Sequence, residues 1–276
     1  MLETLFGAHP LVGAVAVVHG GALVLSAPGS ILRRGALVRA GLSLLIAAFA
    51  LNTWIIADRW MEAGRPPFKT LFETMLFYPW CVALVTLVLI GLHGLRALVP
   101  FASAISVIGL VYALYRPDAE LVNLPPALQS AWFVPHVVTY FISYAGLFLS
   151  GALAALALAL PRLGSYSAGA VRAGLDFERH AHNAAVFGLI TLTLGLLMGG
   201  VWAKFAWGDY WSWDPKENWA LVSWLAYMTT IHLRLLEGWR GRRAMWMLLL
   251  SFGAVVFTYL GMNLLPTAEG SLHVYQ

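Results

Sequence analysis

The residues best able to do chemistry in this chain are its eight histidines: His9, His19, His93, His136, His180, His182, His232 and His273. Neutral imidazole is a common metal ligand, so each is a candidate. His136 follows a proline in Trp132-Phe133-Val134-Pro135-His136. His273 lies near the C-terminus in Gly270-Ser271-Leu272-His273. His232, in Thr229-Thr230-Ile231-His232, and His19, in Val17-Val18-His19, stand inside apolar runs. Ionisable residues in such runs are functional candidates, although a histidine beside Arg234 is also consistent with an interface position. Sulfur adds little. The single cysteine, Cys81, lies in an apolar run, which leaves no Cys-x-x-Cys pair and no thiolate cluster.

The densest chemical stretch is Trp202–Trp224, with six of the twelve tryptophans in 23 residues. Apolar runs flank it, and an interfacial aromatic belt accounts for some of these rings. A belt does not account for Trp207, Trp211 and Trp213 gathered with Gly208, Asp209 and Tyr210 in the loop itself. Flat aromatic faces outside hydrocarbon suggest a platform for a flat, largely apolar ligand. The loop closes on Asp214-Pro215-Lys216-Glu217, which predicts a helix start with Asp at the N-cap, Pro first and Glu third. Asp214 therefore has a capping role, whether or not it also meets a ligand. Lys204 and Lys216 are placed to meet carboxylates of such a ligand or simply to mark the interface.

The elements that must position these residues are membrane helices. The chain has 276 residues, of which 60% are hydrophobic and 11% charged, and its mean hydropathy is +0.76. Such a composition places it in the membrane class. The reading is an all-α, polytopic helix bundle: one membrane domain over 1–276, with a tryptophan-rich loop at 203–217 and a C-terminal tail at 264–276. Eight spans are expected near 10–27, 36–57, 70–92, 97–115, 135–160, 183–203, 215–236 and 244–262. Thr70-Leu71-Phe72-Glu73 has capping-box spacing at the start of the third. Segment 161–182, rich in Gly, Ser and Arg, reads as a solvated linker with a partly helical end. Eleven of the seventeen Lys and Arg residues fall in the loops after spans one, three, five and seven. The positive-inside rule then puts both termini and the tryptophan loop outside. His136, His273 and the loop share that face. The basic residues are scattered over four inner loops, so the pI of about 9.3 reports topology and gives no sign of a nucleic-acid partner.

The run Trp-Gly-Asp-Tyr-Trp-Ser-Trp-Asp-Pro-Lys-Glu resembles the tryptophan-rich WWD signature of the haem-handling proteins of cytochrome c maturation. The form Trp-Ser-Trp-Asp-Pro-Lys-Glu is closer to the CcsA/ResC branch than to the CcmC branch. The resemblance covers most of residues 66–276. It implies that haem b is handled as a transported substrate, held over Trp207, Tyr210, Trp211, Trp213 and Asp214. It further implies that His136 and His273 are axial iron ligands on the outer face and that His232 is a ligand within the membrane. The implied role is the haem-handling subunit of a cytochrome c synthase in a bacterial plasma membrane rather than a thylakoid membrane. Its implied partners are a CcsB/ResB-like membrane protein, an apocytochrome c bearing Cys-x-x-Cys-His, and thioredoxin-like thiol reductants. The alternative is a CcmC-like haem exporter or haem-binding membrane protein without synthase activity. A third class, a transporter for another flat ligand, predicts no need for His136 or His273.

Overall fold

The computed structural model describes residues 9–115, 123–163, 168–261 and 271. Among these, eight α-helices account for nearly everything: α1 Pro10–Ile31, α2 Gly35–Ala63, α3 Leu71–His93, α4 Val99–Leu114, α5 Phe133–Leu163, α6 Ala168–Trp207, α7 Pro215–Leu236 and α8 Arg242–Tyr259. Two short 3-10 turns, Arg96–Leu98 and Pro126–Leu128, sit before α4 and α5. The helices fall into two compact units divided after Pro125.

Each of the eight expected spans corresponds to a helix, and six stretches are long and apolar enough to cross a membrane: α1, α2, α3, Arg96–Leu114 made by the 3-10 turn with α4, Phe133–Ala159 of α5, and Asp176–Trp207 of α6. The protein is a helical membrane protein. The other two are more polar for local reasons. α7 opens on Lys216, Glu217 and Asn218 and closes near His232 and Arg234, while α8 opens on Arg242 and Arg243.

In the first unit α1 and α2 form a hairpin, α4 packs against α1 and α3, and α2 also meets α3. Ala22, Leu45, Ala83 and Val99, one from each helix, make its central layer. Gly41 lets α1 and α2 approach closely, because a Cβ there would stand 2.7 Å from the Ser26 Cβ. The Thr70–Glu73 capping box is present at the start of α3, and the structure adds a second job for Glu73. Its carboxylate is fully buried and takes two bonds from Arg65, at 3.0 Å each, and one from Arg59 Nε at 3.2 Å. Removing one partner of such a buried pair costs roughly 3–5 kcal/mol.

In the second unit α5 and α6 form a long antiparallel hairpin, α7 and α8 form another, and α8 lies against α5. Polar side chains bind these helices together where water is scarce. Ser143 donates to the Gly188 carbonyl and Ser150 to the Ala181 carbonyl, both at 2.7 Å. Trp224 Nε1 donates to Thr193 Oγ1 at 2.8 Å, and Ser223 pairs with Thr258 at 2.8 Å. Such interhelical bonds are each worth about 0.6–2 kcal/mol in a bilayer. Segment 161–182 has the helical end expected of it and is more helical than a linker, since α5 runs to Leu163 and α6 begins at Ala168. Glu178, about three turns into α6, accepts from Arg234 Nη1 at 2.6 Å and from the Gly241 amide at 3.0 Å. That ion pair ties this part of α6 to the α7–α8 turn.

Candidate functional site

His136 stands in the first turn of α5, half-buried, in a slot built mostly by α6. Its Nδ1 lies 2.9 Å from the Gly195 carbonyl. A carbonyl oxygen only accepts, so Nδ1 carries the hydrogen and Nε2 becomes the ring's lone-pair nitrogen. This is the form in which a neutral imidazole binds iron, with its other nitrogen fixed by a backbone acceptor. The ring stacks on Trp202 at 5.7 Å and 14° and meets the edge of Tyr140 at 4.8 Å. Trp202 is itself buried and anchored, because its Nε1 donates to the Ala127 carbonyl at 2.8 Å. Trp207 abuts Trp202 edge-on at 4.6 Å. Aromatic surface thus runs without a break from His136 into the loop.

The loop folds back on the end of α6. Lys204 Nζ binds the Gly208 carbonyl and lies 5.6 Å from the centre of the Tyr210 ring. The Tyr210 carbonyl sits close over Gly200. Tyr210 is 62% and Trp213 69% exposed, so both rings are open to a ligand. Trp211 is half-buried and meets Trp213 edge-to-face at 5.9 Å and 87°. The rings therefore offer several differently tilted faces.

One carboxylate fixes the turn. Glu217 Oε2 accepts from the Ser212 amide at 2.8 Å, the Ser212 hydroxyl at 3.2 Å and the Asp214 amide at 3.1 Å. Asn218 Nδ2 holds the Trp213 carbonyl at 2.9 Å. Between these anchors Trp213 has φ +60°, a left-handed backbone that side chains other than glycine, Asn and Asp seldom adopt. Asp214 is the N-cap of α7 in a complete capping box with Glu217, as its sequence context predicts. It also receives the Ser271 hydroxyl at Oδ1, 3.0 Å away. His273 lies outside the described residues. Ser271, two residues before it, is attached to the loop at Asp214.

His232 occupies a different place. It lies seventeen residues after Pro215 in α7, about 25 Å along the helix. It is exposed on an open face of α7 that it shares with Met228, Thr229, Leu233, Leu236 and Glu237. Its Nδ1 lies 2.8 Å from the Met228 carbonyl, so this ring too presents Nε2 as its acceptor. His136 packs against the loop end of α6, at Gly195 and Trp202, whereas His232 lies near the far end of α7. Each ring is held at Nδ1 by a backbone carbonyl.

A sequence family described as Cytochrome C assembly protein matches residues 68–268, which takes in α3 to α8, the loop, His136 and His232. The chain belongs to the cytochrome c assembly family. Its relatives include proteins named Cytochrome c biogenesis protein CcsA. The one from Parasynechococcus marenigrum (strain WH8102) is 31% identical over 285 residues, covering 92% of each chain. The one from Prochlorococcus marinus subsp. pastoris is 32% identical over 247 residues, covering 80% of this chain and 78% of that one. The one from Chlamydomonas reinhardtii is 35% identical over 231 residues, covering 80% and 64%. A solved structure, Cytochrome c Heme Lyase CcmF, superposes with a TM-score of 0.68 at 19% identity, over 98% of this chain and 48% of that one. That likeness is one of fold, and this chain spans about half the length of the solved protein. The CcsA relatives agree with the branch that the tryptophan motif resembles.

Within this member of the cytochrome c assembly family, several site residues escape a reading of local sequence. Gly195 and Gly199 touch the His136 ring, yet their visible signal, a Gly-x-x-x-Gly spacing, marks only close helix packing. Tyr140 reads as a span residue and Trp202 as a belt anchor. Ser271 carries no signal at all.

Proposed function

We propose that this protein is the haem-handling subunit of a cytochrome c synthase. In this reading haem b is its transported substrate. Haem meets His232 on the open face of α7 and passes to the tryptophan loop, where His136 and His273 hold the iron from opposite faces. The observation that carries the reading is the His136 slot. A backbone carbonyl sets the imidazole tautomer, and Trp202 and Trp207 extend an aromatic wall from the ring into the exposed loop. Burying about 400 Å² of porphyrin gives on the order of 10 kcal/mol before binding costs, ample for a transient site.

The chain's own part is positional. Imidazoles hold the iron and exclude other ligands, aromatic faces hold the ring, and the ordered turn at Trp211–Asp214 presents its edge. An apocytochrome c supplies the two thiols, whose S–H bonds add across the haem vinyl groups. Orientation of those groups is what a protein surface can contribute to that addition. A CcsB/ResB-like membrane protein and thioredoxin-like reductants complete the pathway, and the site faces the outer side of a bacterial plasma membrane.

The test is the absorbance spectrum of the purified full-length protein and of its His136→Ala variant. Wild type should show a bis-histidine Soret band and a sharp reduced α-band. His136→Ala should insert normally, lose most of its haem, and regain part of it with added imidazole. A wild-type spectrum from His136→Ala would remove His136 from the site.

A further inference from the structure

The His136 ring rests directly on the backbone of α6, and the two glycines beneath it are not interchangeable with other small residues. A Cβ at Gly199 would stand 2.6 Å from His136 Cε1 and 2.8 Å from Nδ1. Ordinary carbon contacts are about 3.5–4.0 Å, so even one methyl would push the ring outward by roughly 1 Å. The acceptor of the Nδ1 hydrogen is the Gly195 carbonyl, one turn earlier. In a helix that carbonyl already takes the amide of residue 199 on one lone pair. The imidazole reaches the second lone pair only because residue 199 has no side chain beside it. Gly195 is equally bare, since a Cβ there would stand 2.5 Å from Tyr140 Cδ2, and Tyr140 is the edge wall of the slot. Trp202 closes the other side. The ring cannot retreat sideways, so a methyl at 199 breaks the bond to Gly195.

We infer that Gly199, with the Gly195 carbonyl, is the positioning seat of His136: it fixes which nitrogen faces the iron and where that nitrogen lies. The inference rests on the reading of His136 as an iron ligand. It separates the α6 glycines by role. Gly188 also faces α5, where a Cβ would stand 2.6 Å from Leu147 Cγ, but it lies two to three turns away and touches no part of His136. Gly188 is a packing glycine and Gly199 a ligand-seating one.

The experiment compares Gly199→Ala, Gly188→Ala, His136→Ala and the double variant His136→Ala/Gly199→Ala in the full-length protein. The readouts are haem bound per protein, the spin state of the retained haem, and the thermal midpoint in detergent. Loss of an outer partner of a metal-bound histidine costs about 10–100-fold in affinity. Gly199→Ala should therefore lose haem by about tenfold or more, shift the remainder toward high spin, and keep a midpoint near wild type. Gly188→Ala should lower the midpoint and leave the spectrum of bound haem unchanged. In the His136→Ala background the added Gly199→Ala should cause no further haem loss, but it should abolish imidazole rescue, because the methyl fills the seat the free imidazole would take. Wild-type haem in Gly199→Ala, with haem lost in His136→Ala, would overturn the seat while sparing the ligand. Equal haem loss and equal destabilisation in Gly199→Ala and Gly188→Ala would reduce both to packing. Wild-type haem in His136→Ala would remove the ligand reading itself.

Discussion

Glu217→Ala should disable the tryptophan loop without touching an aromatic ring or an iron ligand. One carboxylate oxygen of Glu217 gathers three donors from Ser212 and Asp214, and these bracket Trp213 at φ +60°. A left-handed backbone costs a residue with a Cβ roughly 1–2 kcal/mol, so the turn persists only while its anchors exceed that cost. Hydrogen bonds to a charged group are worth about 1.5–3 kcal/mol each, but three bonds crowded on one oxygen do not add fully. A combined loss of about 2–3 kcal/mol is reasonable. If the ordered turn is the haem-competent state, apparent affinity falls with the population of that state. At about 1.4 kcal/mol per tenfold, the loss reaches roughly 30- to 150-fold as an upper bound. Glu217→Gln keeps an acceptor oxygen and gives up the charge, which roughly halves such bonds. Its effect should be about tenfold at most.

The assay is haem retention after purification, followed by the rate of haem transfer to apomyoglobin. Helix α7 also loses its capping box in Glu217→Ala, worth about 0.5–2 kcal/mol. Insertion and thermal midpoint must therefore be measured beside haem. The expected order of haem retention is wild type, Glu217→Gln, Glu217→Ala, with the midpoint changing far less than the haem. Wild-type retention and transfer in Glu217→Ala would refute the reasoning, because it would mean that the turn at Trp213 has no part in holding haem.

Two further predictions follow from the same geometry. His232→Ala should leave the His136 spectral component intact and remove a separate one, since His232 lies about 25 Å along α7 from the loop end of that helix; loss of both components together, measured by difference spectra of the single variants, would join them into one site. Ser271→Ala breaks the bond from the tail to Asp214 and should reduce haem content about fivefold, the equivalent of roughly 1 kcal/mol, with Ser271→Thr recovering it; equal haem in all three proteins would detach the tail anchor from the site.

The helices were legible because a bilayer demands it. Backbone groups in hydrocarbon must bond within their own helix, so long apolar runs bounded by charge admit one structure. The capping boxes at Thr70 and Asp214 were legible for a similarly local reason, since cap, proline and carboxylate lie within four residues. The early part of α6 was less legible, because it is held by a pair between Glu178 and Arg234, 56 residues apart. Composition alone gave that segment the look of a linker. The site divides along the same line. The tryptophan spacing marks a ligand surface, but the faces those rings show depend on Trp213 turning left-handed under the hold of Glu217 and Asn218.

His136 makes the point most sharply. Its place beside Pro135 nominates it as a ligand, yet an imidazole has two nitrogens, and nothing near residue 136 says which would face iron. The answer lies 59 residues away, in a carbonyl left accessible by a glycine one turn further along α6. A histidine on another helix face, with the same neighbours in sequence, would have neither the acceptor nor the slot. The chemistry of this residue is thus a property of the α5–α6 contact. Substitutions that alter that contact at Gly199 should mimic loss of the histidine itself.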